Sequence, residues 1–139
     1  MGEQDPIEIA ARALQRRDLS RRDLEERLAR AGIDEDERND ALETLERVGY
    51  LDDERFAGSR AEALADRGYG DAWIRHDLAG HGVSAEAIAG AIAALVPEAE
   101  RASALVERLG NTPKTGARLA RKGFGHDALE AALGIDVAG

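Results

Sequence analysis

Displaced by 50 residues, the stretch SRRDLEERLARAGID from Ser20 falls on GDAWIRHDLAGHGVS from Gly70, and a further displacement of 41 carries it to NTPKTGARLARKGFG from Asn111. Leu28, Leu78 and Leu119 then coincide, as do Gly32, Gly82 and Gly123, and Ile33, Val83 and Phe124. The same displacements bring Leu14, Leu64 and Leu105 into register upstream, and Leu42, Ile92 and Leu133 downstream. Self-similarity at this period marks a repeat architecture. Three copies, at residues 6–51, 52–96 and 97–135, account for nearly all of the 139 residues. A unit of about 40 residues is too small to bury a full core alone, so the copies are expected to stack on one another.

Within each copy the apolar residues recur at intervals of three and four, and no stretch alternates with period two for long enough to be a strand. The reading is all-α. Glycines at 32, 49, 68, 82, 110, 123 and 134 each follow a periodic segment, where a left-handed residue ends a helix. Starts are marked by Ser20 with Asp23, Asp34 with Glu37, Ser84, and Thr112 ahead of a proline. These signals give about nine helices, three to a copy. Arg38 takes the core-facing position held by Ile88 and Leu129 in the other copies, which predicts a looser first unit or a rotated third helix.

In RVGYLDDERFAGSR, Arg47 to Arg60, three consecutive acids follow a glycine and an apolar pair. Gly49 stops one helix, Asp52 or Asp53 caps the next, Glu54 favours its dipole, and Phe56 turns inward. Tyr50 and Leu51 are expected to pack at the seam between copies.

Composition narrows the function. With no cysteine, disulfides and thiolate chemistry are excluded. The segment MGEQDPIEIAARA carries acids where a secretory signal has basic residues, and no apolar run reaches the roughly 18 residues of a membrane span, so a cytoplasmic protein is expected. GNTPKTG, from Gly110, has Pro113 where a phosphate loop needs glycine and no strand before it, so it reads as a helix cap. DEDERND, from Asp34, lacks the turn glycine and the closing acid of a calcium loop. His76 and His81 are five apart, roughly 140° around a helix, and with His126 read as solvated residues, not metal ligands. Neither a catalytic set nor a cofactor or metal site is suggested by spacing, and the chain is expected not to be an enzyme.

Charge is uneven. Residues 34–54 hold ten acids and two arginines, whereas residues 108–124 hold Arg108, Lys114, Arg118, Arg121 and Lys122 and no acid. Arg12, Arg16, Arg17, Arg21 and Arg22 have Asp18, Asp23 and Glu26 nearby and read as a solvated face with local ion pairs. The later cluster lacks such partners, which makes Lys114, Arg118, Arg121 and Lys122 a docking surface for an acidic protein patch or for phosphates. The net charge of −9 argues against autonomous DNA binding.

The segments SRRDLEERLARAGID, ALETLERVGYLDDERFA and RGYGDAWIRHDLAGHGVS closely resemble the RecX family of bacterial recombinase regulators over about residues 10–95, and RLARKGFGHDALEAAL keeps the closing pattern. The resemblance implies three tandem three-helix repeats in an elongated, curved helical molecule. It also implies a protein that binds the RecA filament and lowers its ATPase, strand-exchange and co-protease activities, by blocking filament extension or by lying in the filament groove. Because segments of the second unit match the family, Arg55, Arg60, Arg67 and Arg75 join Lys114, Arg118, Arg121 and Lys122 as expected partner-binding residues. The plainer alternative for Arg55 and Arg60 is pairing with Asp52, Glu54 or Glu62. A monomer is expected. The competing function is a helix-turn-helix DNA-binding protein, because a short glycine turn joins the second and third helices of each unit.

Overall fold

The structure, a computed structural model, describes residues 5–134. Nine helices follow one another among these residues: α1 (Pro6–Arg16), α2 (Arg21–Arg30), α3 (Glu35–Arg47), α4 (Asp53–Asp66), α5 (Asp71–Gly80), α6 (Ala85–Ala93), α7 (Glu98–Leu109), α8 (Pro113–Arg121) and α9 (His126–Leu133). The predicted end of the last unit at residue 135, like residues 1–4 of the N-terminal segment, lies outside the described residues.

The starts and stops come from the predicted residues. Ser20, Asp34, Ser84 and Thr112 each accept a hydrogen bond from the backbone N–H three residues on. Among the described residues, the seven predicted glycines are those with positive φ, from 69° to 102°, a region that costs any other residue. At the RVGYLDDERFAGSR joint, Asp52 caps α4 by accepting from Arg55 N at 3.1 Å. Leu51 is buried as expected, and Tyr50 is not: it is 63% exposed, at a turn whose Gly49 and Tyr50 carbonyls accept from Arg55.

Helices pack in threes, α1 to α3, α4 to α6 and α7 to α9. The units do not pool their cores as their size suggests. Leu24, Leu28, Leu42 and Leu45 centre the first apolar cluster, Ile74, Leu78 and Ile88 with Phe56 the second, and Val106, Leu119, Phe124 and Leu129 the third. Alanines at 10, 13, 41, 57, 61, 91 and 102 let these short helices approach closely enough to fill a small core from within. In the first unit α3 buries Ala41, Leu42 and Leu45, and Ala41 holds the place that Ala91, also buried, holds in α6. Arg38 stays half-buried by donating to Ile33 O at 2.7 Å.

The units meet instead through helix ends, at two joints built alike. At the second, the backbone N–H groups of Gly70 and Ala72, opening α5, donate to Lys122 O at 2.8 Å and Gly123 O at 3.2 Å, closing α8. Around the first, Ser20 Oγ opening α2 donates to His81 O at 2.7 Å, and the Arg22 guanidinium donates to Gly80 O, closing α5. Thus α8, α5 and α2 stand head to tail, each C-terminus on the next N-terminus, and the orphan carbonyls of one helix meet donors of the next with dipoles aligned. An acid from the first helix of the following unit completes each joint: Asp53 accepts from Arg21 N at 2.7 Å, and Glu98 accepts from Asp71 N at 2.7 Å.

Candidate partner-binding surface

Lys114, Arg118, Arg121 and Lys122 are spaced i, i+4, i+7 and i+8, which places them within an arc of roughly 100° on α8. The first three are exposed, beside a face that buries Thr115 and Leu119. Lys122 is committed further than its sequence neighbourhood suggests. Its Nζ donates to Arg67 O at 3.0 Å and lies 4.5 Å from the centre of the Tyr69 ring, so the stripe ends inside the second joint. Arg67 caps the C-terminus of α4, exposed, with its guanidinium carbon 5.5 Å from the same ring. Arg75 is exposed on α5. Every ion pair among the described residues involves other groups, so no carboxylate there lies within 4.0 Å of these six cations.

Arg55 and Arg60 are instead committed to partners within the chain. Arg55 spends its donors on the carbonyls of Gly49 and Tyr50, at 3.0 Å each, and approaches Asp18 at 4.0 Å. Arg60 donates to both oxygens of Asp77, at 2.7 and 2.8 Å, and the partners expected for it from sequence, Asp52, Glu54 and Glu62, take no part. That bidentate bond holds the Asp77 carboxyl below its ordinary range and raises the Arg60 guanidinium, each effect opposed in part by burial. The first basic cluster behaves as local pairing predicts for Arg12 with Glu8 and Arg22 with Glu26, while Arg21 pairs with Glu46 of another helix.

His81 is not a solvated helix residue. It follows the last turn of α5, its Nδ1 lies 2.7 Å from Asp23 Oδ2 of the first unit, and Phe56 meets its ring edge-on at 5.4 Å. Glu98 also escaped the sequence reading, although it serves two helices: Oε2 accepts from Asp71 N, and Oε1 from Gly125 N at 3.3 Å. The signal lay in Gly70 and Gly125, which start helices without a capping side chain and so require a remote one.

A groove of about 510 Å³ opens between the second and third units, with Leu95, Val96 and Leu105 inside and Glu62, Asp66 and Glu100 along it. It gathers carboxylates without a histidine or hydroxyl nucleophile, and the described residues contain no group of three or more potential metal ligands. None of the described helices is long and apolar enough to cross a membrane. The helices that would enter a DNA groove open on acids in the first unit, Glu35, Asp36 and Glu37, which repel phosphate.

The family described as "RecX, second three-helix domain" matches residues 52–92, the span of α4 to α6. The chain is 35% identical over 145 aligned positions to the regulatory protein RecX of Xanthomonas axonopodis pv. citri, covering 97% of this chain and 90% of that protein. It is 34% identical to the regulatory protein RecX of Stenotrophomonas maltophilia, covering 96% and 88%. The crystal structure of RecX from Lactobacillus salivarius superposes with a TM-score of 0.81 at 18% identity, over 93% of this chain and 92% of the other. That likeness extends the tandem three-helix architecture to both.

Proposed function

The chain belongs to the RecX family of regulatory proteins, and from that premise we propose that it binds the RecA recombinase filament in the cytoplasm and lowers its ATPase, strand-exchange and co-protease activities, without catalysis of its own. It acts as a monomer that contacts the filament through the unpaired cations of its second and third units. The observation that carries this reading is that Lys114, Arg118, Arg121, Lys122, Arg67 and Arg75 have no carboxylate within 4.0 Å among the described residues, on a chain whose net charge is −9. On a chain of that charge, cations without a carboxylate partner suit an acidic partner surface. Arg55 and Arg60 contribute indirectly, by fixing the turn into α4 and the packing of α4 on α5.

Hydrolysis of ATP by the cognate RecA on single-stranded DNA, with this protein titrated in, tests the proposal. The wild-type chain should slow hydrolysis, and charge reversal at Lys114, Arg118, Arg121 and Lys122 should raise the concentration for half-inhibition by about tenfold or more. Unchanged hydrolysis with wild type removes the function, and unchanged inhibition by the reversed variant removes the face.

A further inference from the structure

Equivalent positions in the two joints carry different chemistry. Displacement by 50 puts Trp73 where the first unit has Asp23, and displacement by 41 puts Lys122 where the second has His81. At the first joint these positions give an imidazole on a carboxylate, His81 on Asp23 at 2.7 Å. At the second the carboxylate is gone. Trp73 stacks on Tyr69 with ring centres 4.7 Å apart and planes inclined by 21°, and Lys122 and Arg67 both sit over the Tyr69 ring.

The indole is not required to close the joint. Closure comes from the Gly70 and Ala72 bonds to the end of α8 and from Glu98 on Asp71 N, and a Cβ added at Gly123 would meet the backbone and Cβ of Trp73, not its ring. Trp73 remains 44% exposed, a large aromatic residue left partly in water against the ring on which two cations sit. Lys122 uses one of its three donors on Arg67 O, and the Arg67 guanidinium faces solvent.

We infer that Arg67, Tyr69, Trp73 and Lys122 form a seat for an acidic segment of a partner polypeptide, with carboxylates on Arg67 and Lys122 and an apolar side chain over the Trp73 indole. The inference rests on the docking reading above and specifies where the acidic partner is gripped. A short acidic segment suits two cations and one aromatic face, whereas a long polyanion would also meet Asp66 and the remaining excess of negative charge. Because Tyr69 and Trp73 come from the second unit and Lys122 from the third, the seat exists only while the second joint is closed.

Trp73 is the only tryptophan in the chain, so its emission reports on the seat directly. The probes are a twelve-residue Glu/Asp peptide with one central Phe, a Lys-rich peptide of the same length, and a twelve-nucleotide oligo-dT. The acidic peptide should change Trp73 emission saturably at low salt while the other two do not, and R67Q and K122Q should each weaken that binding by about fivefold or more. Among the described residues the Arg67 side chain makes no hydrogen bond or ion pair, only its contact with the Tyr69 ring, so R67Q keeps the test sound if K122Q unfolds. In the RecA assay R67Q should raise the half-inhibiting concentration by a similar factor, about fivefold. A silent acidic peptide, a response to oligo-dT alone, or R67Q inhibiting RecA as wild type does would each overturn the seat. A wild-type chain that does not slow RecA removes the function proposed above, and the peptide titration still decides the seat.

Discussion

Arg60 and Asp77 show what one pair does to a small unit. They tie α4 to α5 through two parallel hydrogen bonds, with Arg60 39% and Asp77 18% exposed at their side chains. Exposure on the arginine side screens the pair, so Asp77→Asn should lower the unfolding free energy at neutral pH by only about 1 kcal/mol. The pH dependence has a definite sign. Asp77 is held below its ordinary value of 3.8 in the folded chain, so its contribution is complete above that value and is lost as pH falls through the still lower folded one. Denaturant titrations should therefore show wild type and Asp77→Asn differing near pH 7 and converging only in strong acid; a difference that vanished between pH 7 and 5 would contradict the pairing. Sequence could not name this pair, since Asp77 lies 17 residues from Arg60 and only the packing of α4 on α5 brings them together. For the same reason Lys122 read as one more cation of a stripe and His81 as a solvated ring.

At the level of elements the sequence was far more explicit, because helix ends are set by neighbours in the chain. Ser20, Asp34, Asp52, Ser84 and Thr112 act on the N–H three residues ahead, and glycine stops act on φ of the same residue. What stayed hidden were ends served from elsewhere, α5 and α9 by Glu98, and α2 by Asp53. The three acids of the α3–α4 turn divide accordingly. Asp52 caps its own helix, while Asp53 accepts from Arg21 N and so serves α2 of the preceding unit. Each single alanine substitution should cost about 1 kcal/mol. Since the two bonds hold different helices, the double substitution should cost about 2 kcal/mol, near the sum. Urea unfolding of the four chains checks this, and a double variant no weaker than either single one would mean that the two carboxylates share one task.

On the scale of the whole molecule, three units with separate cores meet through helix ends that hydrogen-bond across the joints. Such joints depend on close backbone approach, and the second depends on Gly70. Its φ of −86° suits any residue, yet a Cβ placed there would lie 2.5 Å from the backbone of Gly123 and Phe124. Gly70→Ala should therefore leave each unit's helices intact and force α5 and α8 apart, breaking the bonds from Gly70 and Ala72 to the end of α8. Gly58→Ala makes the same chemical change in α4 where nothing lies within 4 Å, and it should instead raise stability by up to about 1 kcal/mol through helix propensity. Small-angle scattering should show a larger radius of gyration for Gly70→Ala and none of that change for Gly58→Ala, with equal helix content by circular dichroism. If inhibition of RecA requires the second and third units to present one continuous cationic surface, Gly70→Ala should also lose potency by about tenfold while Gly58→Ala keeps it. An opened chain that still inhibited fully would locate the active surface within a single unit, and a Gly70→Ala chain of unchanged dimensions would show that the joint can shift to admit a methyl group.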